Sequence, residues 1–157
     1  MRKGELLSER PDYNLWVSGA PRTGKSQMLR RILRRSNRYV ALDRKRDYID
    51  LDHATVVESW EEARGYIRRH EEGPCRLVVS SARIELQLAV IRYLWEVYSR
   101  KELPNLLLVL EEAKHYSRSS RGFIEEPAAL AQAPSGKTYL DLVYTEGLTH
   151  GLMVATV

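Results

Sequence analysis

The chain has little of what would tie it together from outside a packed core. One cysteine, Cys75, stands in 157 residues, so no internal disulfide can form, and a reducing compartment is implied. The longest apolar run, Leu106 to Leu110, is five residues, against the roughly 20 that a membrane helix needs. The N-terminus MRKGELLSERPD is basic but lacks the apolar stretch of a secretory signal. There is one Phe, and Gly and Pro number 9 and 6, which excludes collagen-like and low-complexity chains. Four His residues, His53, His70, His115 and His150, have no metal-ligand spacing.

What is present is an ordinary globular composition, 43% hydrophobic and 29% charged, in a length suited to one domain. The net charge is +4, carried mostly by arginine. A basic balance is compatible with nucleic acid without requiring it.

Apolar patterning alternates between strands and helices. After an entry segment, residues 1–12, strands are expected at Tyr13–Ser18, Arg38–Asp43, Thr55–Glu58, Cys75–Ser80, Asn105–Leu110 and Leu152–Val157. Helices are expected at Thr23–Arg35, from Ser59 to about His70, at Ile84–Arg100 and at Thr138–His150. Ser59 and Glu62 have capping-box spacing, and Gly73-Pro74 breaks the chain after that helix. Ile84, Leu88, Ile91, Trp95 and Tyr98, widened by Leu94 and Val97, make one apolar stripe. The stretch His115–Lys137 reads as a long irregular loop. Such alternation predicts an α/β fold with a mostly parallel central sheet flanked by helices, its ligands at the carboxyl ends of the strands.

Two strand ends carry chemistry. Gly19-Ala20-Pro21-Arg22-Thr23-Gly24-Lys25-Ser26 fits G-x-x-x-x-G-K-[ST] between a strand and an amphipathic helix. In that pattern the glycines let backbone N–H groups face phosphate oxygens, Lys25 supplies a charge to the β/γ-phosphates, and the Ser26 hydroxyl serves Mg²⁺. At the end of the apolar strand stand Glu111 and Glu112. Adjacent carboxylates there suit nucleotide hydrolysis: Glu111 on the metal side, Glu112 activating water. The bland reading is two solvated acids at a helix start. Asp43 and Asp47 are explained equally by ordering the site and by making a turn. Trp16, Trp60 and Trp95 read as packing residues. Arg30, Arg31, Arg34 and Arg35 read as a solvated helix face, with DNA or subunit contact as the competing role.

With GAPRTGKS, YVALDRKRDY (residues 39–48), LLLVLEEAKHY (106–116) and TEGLTHGLMVAT (145–156) in this order, the chain from Tyr13 to Val157 resembles the HerA–FtsK superfamily of ring-forming DNA-translocating ATPases, which includes viral genome-packaging ATPases. The resemblance implies a RecA-like P-loop domain over residues 13–157, ATP and Mg²⁺ as cofactors, and double-stranded DNA as partner. It also implies a ring homo-oligomer such as a hexamer, in host cytoplasm or virion. Residue by residue it implies nucleotide binding by Gly19 to Ser26, metal binding by Ser26 and Glu111, and catalysis by Lys25, Glu111 and Glu112. Three positions depart from the family pattern: Lys114 where His is common, Leu148 where Arg follows Glu-Gly, and Val157 where a polar sensor ends the last strand. The domain therefore reads as cut short at its C-terminal end or as lacking the sensor. With Leu148 unable to act as a trans arginine, Arg118 and Arg121 become candidates. Two other functions compete: a non-motor ATP-binding assembly or morphogenesis subunit, and a small P-loop phosphotransferase, which paired glutamates disfavour.

Overall fold

The computed structural model describes residues 14–18, 24–111 and 133–157. Chain order is β1 Leu15–Trp16, α1 Lys25–Arg35, β2 Arg38–Asp43, β3 Thr55–Val57, α2 Trp60–Arg69, β4 Cys75–Ser80, α3 Ile84–Arg100, β5 Leu106–Leu110, α4 Tyr139–Thr145, a 3₁₀ turn Gly147–His150 and β6 Leu152–Thr156. The strands form one six-stranded sheet in the order β1-β6-β5-β2-β4-β3. Every pair is parallel. The fold is thus α/β with an all-parallel sheet flanked by helices, compatible with a RecA-like fold.

The sheet's centre follows from composition. β5 and β6 are buried at all five positions and β2 at five of six, as strands covered on both faces must be. One face carries α2, α3 and α4. Ala63, Tyr66 and Ile67 of α2, Leu88, Ile91 and Leu94 of α3, and Leu140 and Val143 of α4 meet Val40, Leu77, Leu108 and Val154 there. On the other face Leu29 and Leu33 of α1, one turn apart, join Tyr48 and Leu51 from the β2–β3 connection over Ala41, Val109 and Ala155.

Local signals set most element ends. The Ser59 hydroxyl accepts from the Glu62 N–H at 3.2 Å, and the Glu62 carboxylate accepts in return from the Ser59 N–H. Thr138 caps α4 by accepting from the Asp141 N–H at 3.1 Å. The expected single helix Thr138–His150 is two pieces: α4 closes at Glu146, and a 3₁₀ turn leads to Gly151 in the left-handed region at φ 89°. Gly147 permits this tight turn, since a Cβ there would lie 3.0 Å from the Leu152 carbonyl oxygen.

Trp60 and Trp95 pack as expected, edge to face against Tyr93 and His150 with ring centroids 5.7 and 5.2 Å apart. Trp16 does not: it lies on edge strand β1 and is 68% exposed. Among the described residues only β6 pairs with β1. Asn14 fastens this short strand, donating to the Tyr144 carbonyl and accepting from the Val154 N–H, each at 2.9 Å.

Because all strands run one way, α1, α2 and α3 all return the other way. Their N-termini lie at the carboxyl edge of the sheet, and their C-termini at the amino edge.

Leu108 lies at the centre of this arrangement with no exposed surface. Leu108→Ala should lower unfolding free energy by about 2–5 kcal/mol. Urea denaturation followed by tryptophan fluorescence measures it; a loss under about 1 kcal/mol would place Leu108 outside a packed core.

Candidate functional site

Along the carboxyl edge, register brings two of the expected chemical segments to one level. Trp16 pairs with Thr156 across β1–β6, and Thr156 with Leu110 across β6–β5. The Val17 N–H donates to the Thr156 carbonyl at 2.8 Å, and the Val157 N–H to the Leu110 carbonyl at 3.1 Å. Val17, Val157 and Glu111 therefore stand side by side, one residue beyond the paired ends. One strand intervenes between the segment leading to the glycine loop and the strand bearing Glu111. Two strand spacings give about 10 Å between them, a gap that phosphates and a hydrated cation can span.

The loop side is described from Gly24 onward. Gly24 has φ +86° with no atom within 4 Å of a would-be Cβ, so glycine is required by conformation rather than by space. It opens α1 without a side-chain cap and with no acid in the first turn. α2 and α4 are capped by Ser59 and Thr138, whereas α3, like α1, has no side-chain cap. The first N–H groups of α1 lie at the positive end of the helix, where an anion is favoured. Lys25 and Ser26 occupy its first turn, both half-buried. Gly19, Ala20, Pro21, Arg22 and Thr23, with Glu112, Arg118 and Arg121, lie outside the described residues.

On the strand side, Glu111 is only 3% exposed and its Oε2 has no hydrogen-bond partner among the described residues. Burial pushes its carboxyl up to about 7. The Tyr48 hydroxyl opposes that rise, and the nearby Asp47 and Asp43 carboxylates add to it. Tyr48 is fully buried, faces Glu111 and has its own hydroxyl pushed up by desolvation first and by that carboxylate second. Their approach stops short of a well-aligned hydrogen bond, since Tyr48 Oη is also without a partner among the described residues.

Asp43 explains why Tyr48 is there. Its Oδ1 accepts from the Asp47 N–H at 2.9 Å and its Oδ2 from the Tyr48 N–H at 3.0 Å. Both oxygens thus hold backbone, and Asp43 acts as a turn former. Arg30 of α1 locks the same turn, donating to Asp50 Oδ1 at 2.8 Å and to the Asp47 carbonyl. Of the four arginines on α1, Arg30 is therefore a tie between helix and turn, whereas Arg31, Arg34 and Arg35 are exposed. Sequence reading missed the Arg30 tie and the Tyr48 insertion. The signal for Tyr48 was a lone aromatic in a polar run, RKRDYID.

An unpartnered buried carboxylate oxygen fits a divalent cation, which would also offset the repulsion from Asp43 and Asp47. Among the described residues no group of three or more His, Cys, Asp or Glu could hold a metal ion. Protein ligands here would thus be few, Glu111 and the Ser26 hydroxyl. That suits Mg²⁺, which keeps several waters and takes phosphate oxygens. Leu148, at the position where the family pattern has Arg, packs half-buried against the α1-side core, and apolar Val157 neighbours Glu111.

Glu111 should leave a mark on stability in metal-free protein. Folded, it holds its proton to about pH 7; unfolded, it releases it near 4.5. The folded state therefore binds more protons between these values, and this residue's contribution to stability falls as pH rises through them. Glu111→Gln, neutral throughout, should match wild type below pH 4.5 and exceed it at pH 8 by on the order of 1–3 kcal/mol. Urea midpoints in the presence of a chelator test this; equal midpoints at pH 8 would mean an ordinary solvated carboxylate.

No protein-family model matches the chain, and no curated protein and no solved structure matches it.

Proposed function

We propose that the chain binds Mg·ATP at the carboxyl edge of its sheet and hydrolyses it, as the ATPase domain of a DNA-translocating machine of the HerA–FtsK type. The observation that carries this reading is the pairing of an α1 N-terminus without a side-chain cap, reached through GAPRTGKS, with a buried Glu111 one intervening strand away whose Oε2 has no hydrogen-bond partner among the described residues. Backbone N–H groups of residues 19–26 and the Lys25 ammonium would hold the β- and γ-phosphates. Ser26 and Glu111 would hold Mg²⁺, which neutralises charge on the transferred phosphoryl group. Glu112, next along from the metal-side carboxylate, is the residue assigned to orient water. The Arg30–Asp50 tie and the Asp43 turn keep α1 and Glu111 in one rigid frame.

Double-stranded DNA as partner, assembly into a ring and a viral or plasmid setting follow from the family resemblance. So do Arg118 and Arg121 as sources of a trans arginine. A second reading, a non-motor ATP-binding assembly subunit, is favoured by one feature: apolar Leu148 and Val157 occupy the positions of the family's Arg and polar sensor.

Lys25→Ala should weaken Mg·ATP binding by about 1.5–3 kcal/mol, the scale of a charge-assisted contact. Titration calorimetry that finds equal affinities would refute phosphate binding by this loop. Glu112→Gln should keep nucleotide affinity and lose most turnover. Wild-type turnover that is absent with and without duplex DNA, alongside intact ATP binding, would select the assembly subunit.

A further inference from the structure

The amino edge of the sheet, remote from the nucleotide site, has a chemistry of its own. Parallel topology delivers the C-termini of α1, α2 and α3 to this edge, and each ends in basic residues: Arg34 and Arg35, Arg68 and Arg69, Arg100 followed by Lys101. Three of the segments that turn back there, residues 34–38, 68–76 and 100–105, hold eight Lys or Arg against three Glu, while those leading into β3 and β6 bring Asp52 and Glu146.

Helix ends explain part of this, because each C-terminus carries about half a negative charge. Three such ends offset less than a third of the excess. One is already served: the Arg38 guanidinium donates to the His70 carbonyl at 3.0 Å and the Glu71 carbonyl at 2.9 Å, closing α2. Ion pairing does not use up the rest. Of Arg34, Arg35, Arg68, Arg69, Arg100 and Lys101, Lys101 alone has a carboxylate within ion-pair distance among the described residues, Glu71 at 2.8 Å. Arg68 lies near enough to oppose the Lys101 charge, so the ends of α2 and α3 form one cationic patch. Beside it is a recess of about 250 Å³ lined by Ser99, Arg100, Lys101, Glu102 and His150 together with Tyr98.

We propose that this edge is a binding surface for the phosphodiester backbone of nucleic acid, with Arg68, Arg69, Arg100 and Lys101 as its main contacts and Arg34 and Arg35 as its extension. A row of cations from separate helices, of which Lys101 alone is ion-paired among the described residues, matches a ligand with evenly repeated anions. Among the described residues no base-reading element accompanies them, so binding is independent of sequence. An anionic membrane surface is disfavoured, because such binding also uses apolar insertion. The exposed large hydrophobic residues among the described residues, Trp16, Met28, Ile49 and Val56, all lie outside the three segments. The choice of duplex DNA as the natural ligand rests on the reading above; the phosphate surface itself requires no nucleotide.

The test uses the full chain without ATP, so failure of nucleotide binding leaves it intact. Anisotropy of a labelled duplex of about 20 base pairs is followed across a salt series, with a single strand of equal length in parallel. Arg68→Gln/Arg69→Gln should lower duplex affinity roughly 10- to 100-fold at low salt and reduce the salt slope by about 1.8, the value for two lost phosphate contacts. Arg100→Gln with Arg35→Gln should act similarly from two other helices, which keeps the test open if one variant unfolds. Lys45→Gln/Arg46→Gln, exposed changes in the connection that follows the carboxyl end of β2, should leave both readouts unchanged. Equal loss in this control, unchanged slopes in both amino-edge variants, or retention on phosphatidylserine vesicles without retention on DNA would overturn the proposal. Tighter binding of the single strand would keep the surface and reject the duplex.

Discussion

Everything in this molecule depends on the common direction of its six strands. A parallel sheet cannot close its connections with short hairpins, so each strand is followed by a long crossover to the opposite edge. Four of these crossovers contain a helix, and α1, α2 and α3 run antiparallel to the strands. Strand ends and helix starts thereby share one edge, and helix ends share the other. The carboxyl edge gathers Gly24, Lys25, Ser26 and Glu111, and the amino edge gathers the basic helix ends.

At the carboxyl edge the sheet supplies position and the β2–β3 connection supplies environment. That connection has no helix; it crosses the sheet with Tyr48 and Leu51 plugged into the α1-side core. Asp43 spends both carboxylate oxygens on its backbone, and Arg30 anchors it to α1. The result is a carboxylate, Glu111, walled in by a phenol and two other acids. Such an environment is costly for an isolated anion and favourable once a cation arrives.

Much of the fold was legible because its signals are local. The apolar runs of β2, β4 and β5 and the Ser59–Glu62 capping box mark their elements within one or two residues. The end of α4 was not, since the Thr138–His150 pattern continues through a Gly147 whose tight approach to Leu152 is a tertiary fact. Trp16 misled for a related reason: strand periodicity says which face a side chain takes, not whether anything covers it. In the site, Gly24, Lys25, Ser26 and Glu111 were legible as a spaced pattern and a strand end. Tyr48 and the Arg30–Asp50 tie join residues 63 and 20 positions from their partners, and no short-range pattern encodes such contacts. The basic edge was equally hidden, because its arginines are scattered in sequence and converge only through the crossovers.

The central claim, that nucleotide and metal occupy the carboxyl edge between α1 and β5, is tested most directly by paramagnetic broadening. With Mn²⁺·ATP in place of Mg·ATP, amide resonances of Lys25, Ser26, Glu111 and Val157 should broaden first. Those of Arg69, Arg100 and Lys101, at the far edge, should stay sharp. Broadening centred on the amino edge, or none at nucleotide saturation, would contradict the account.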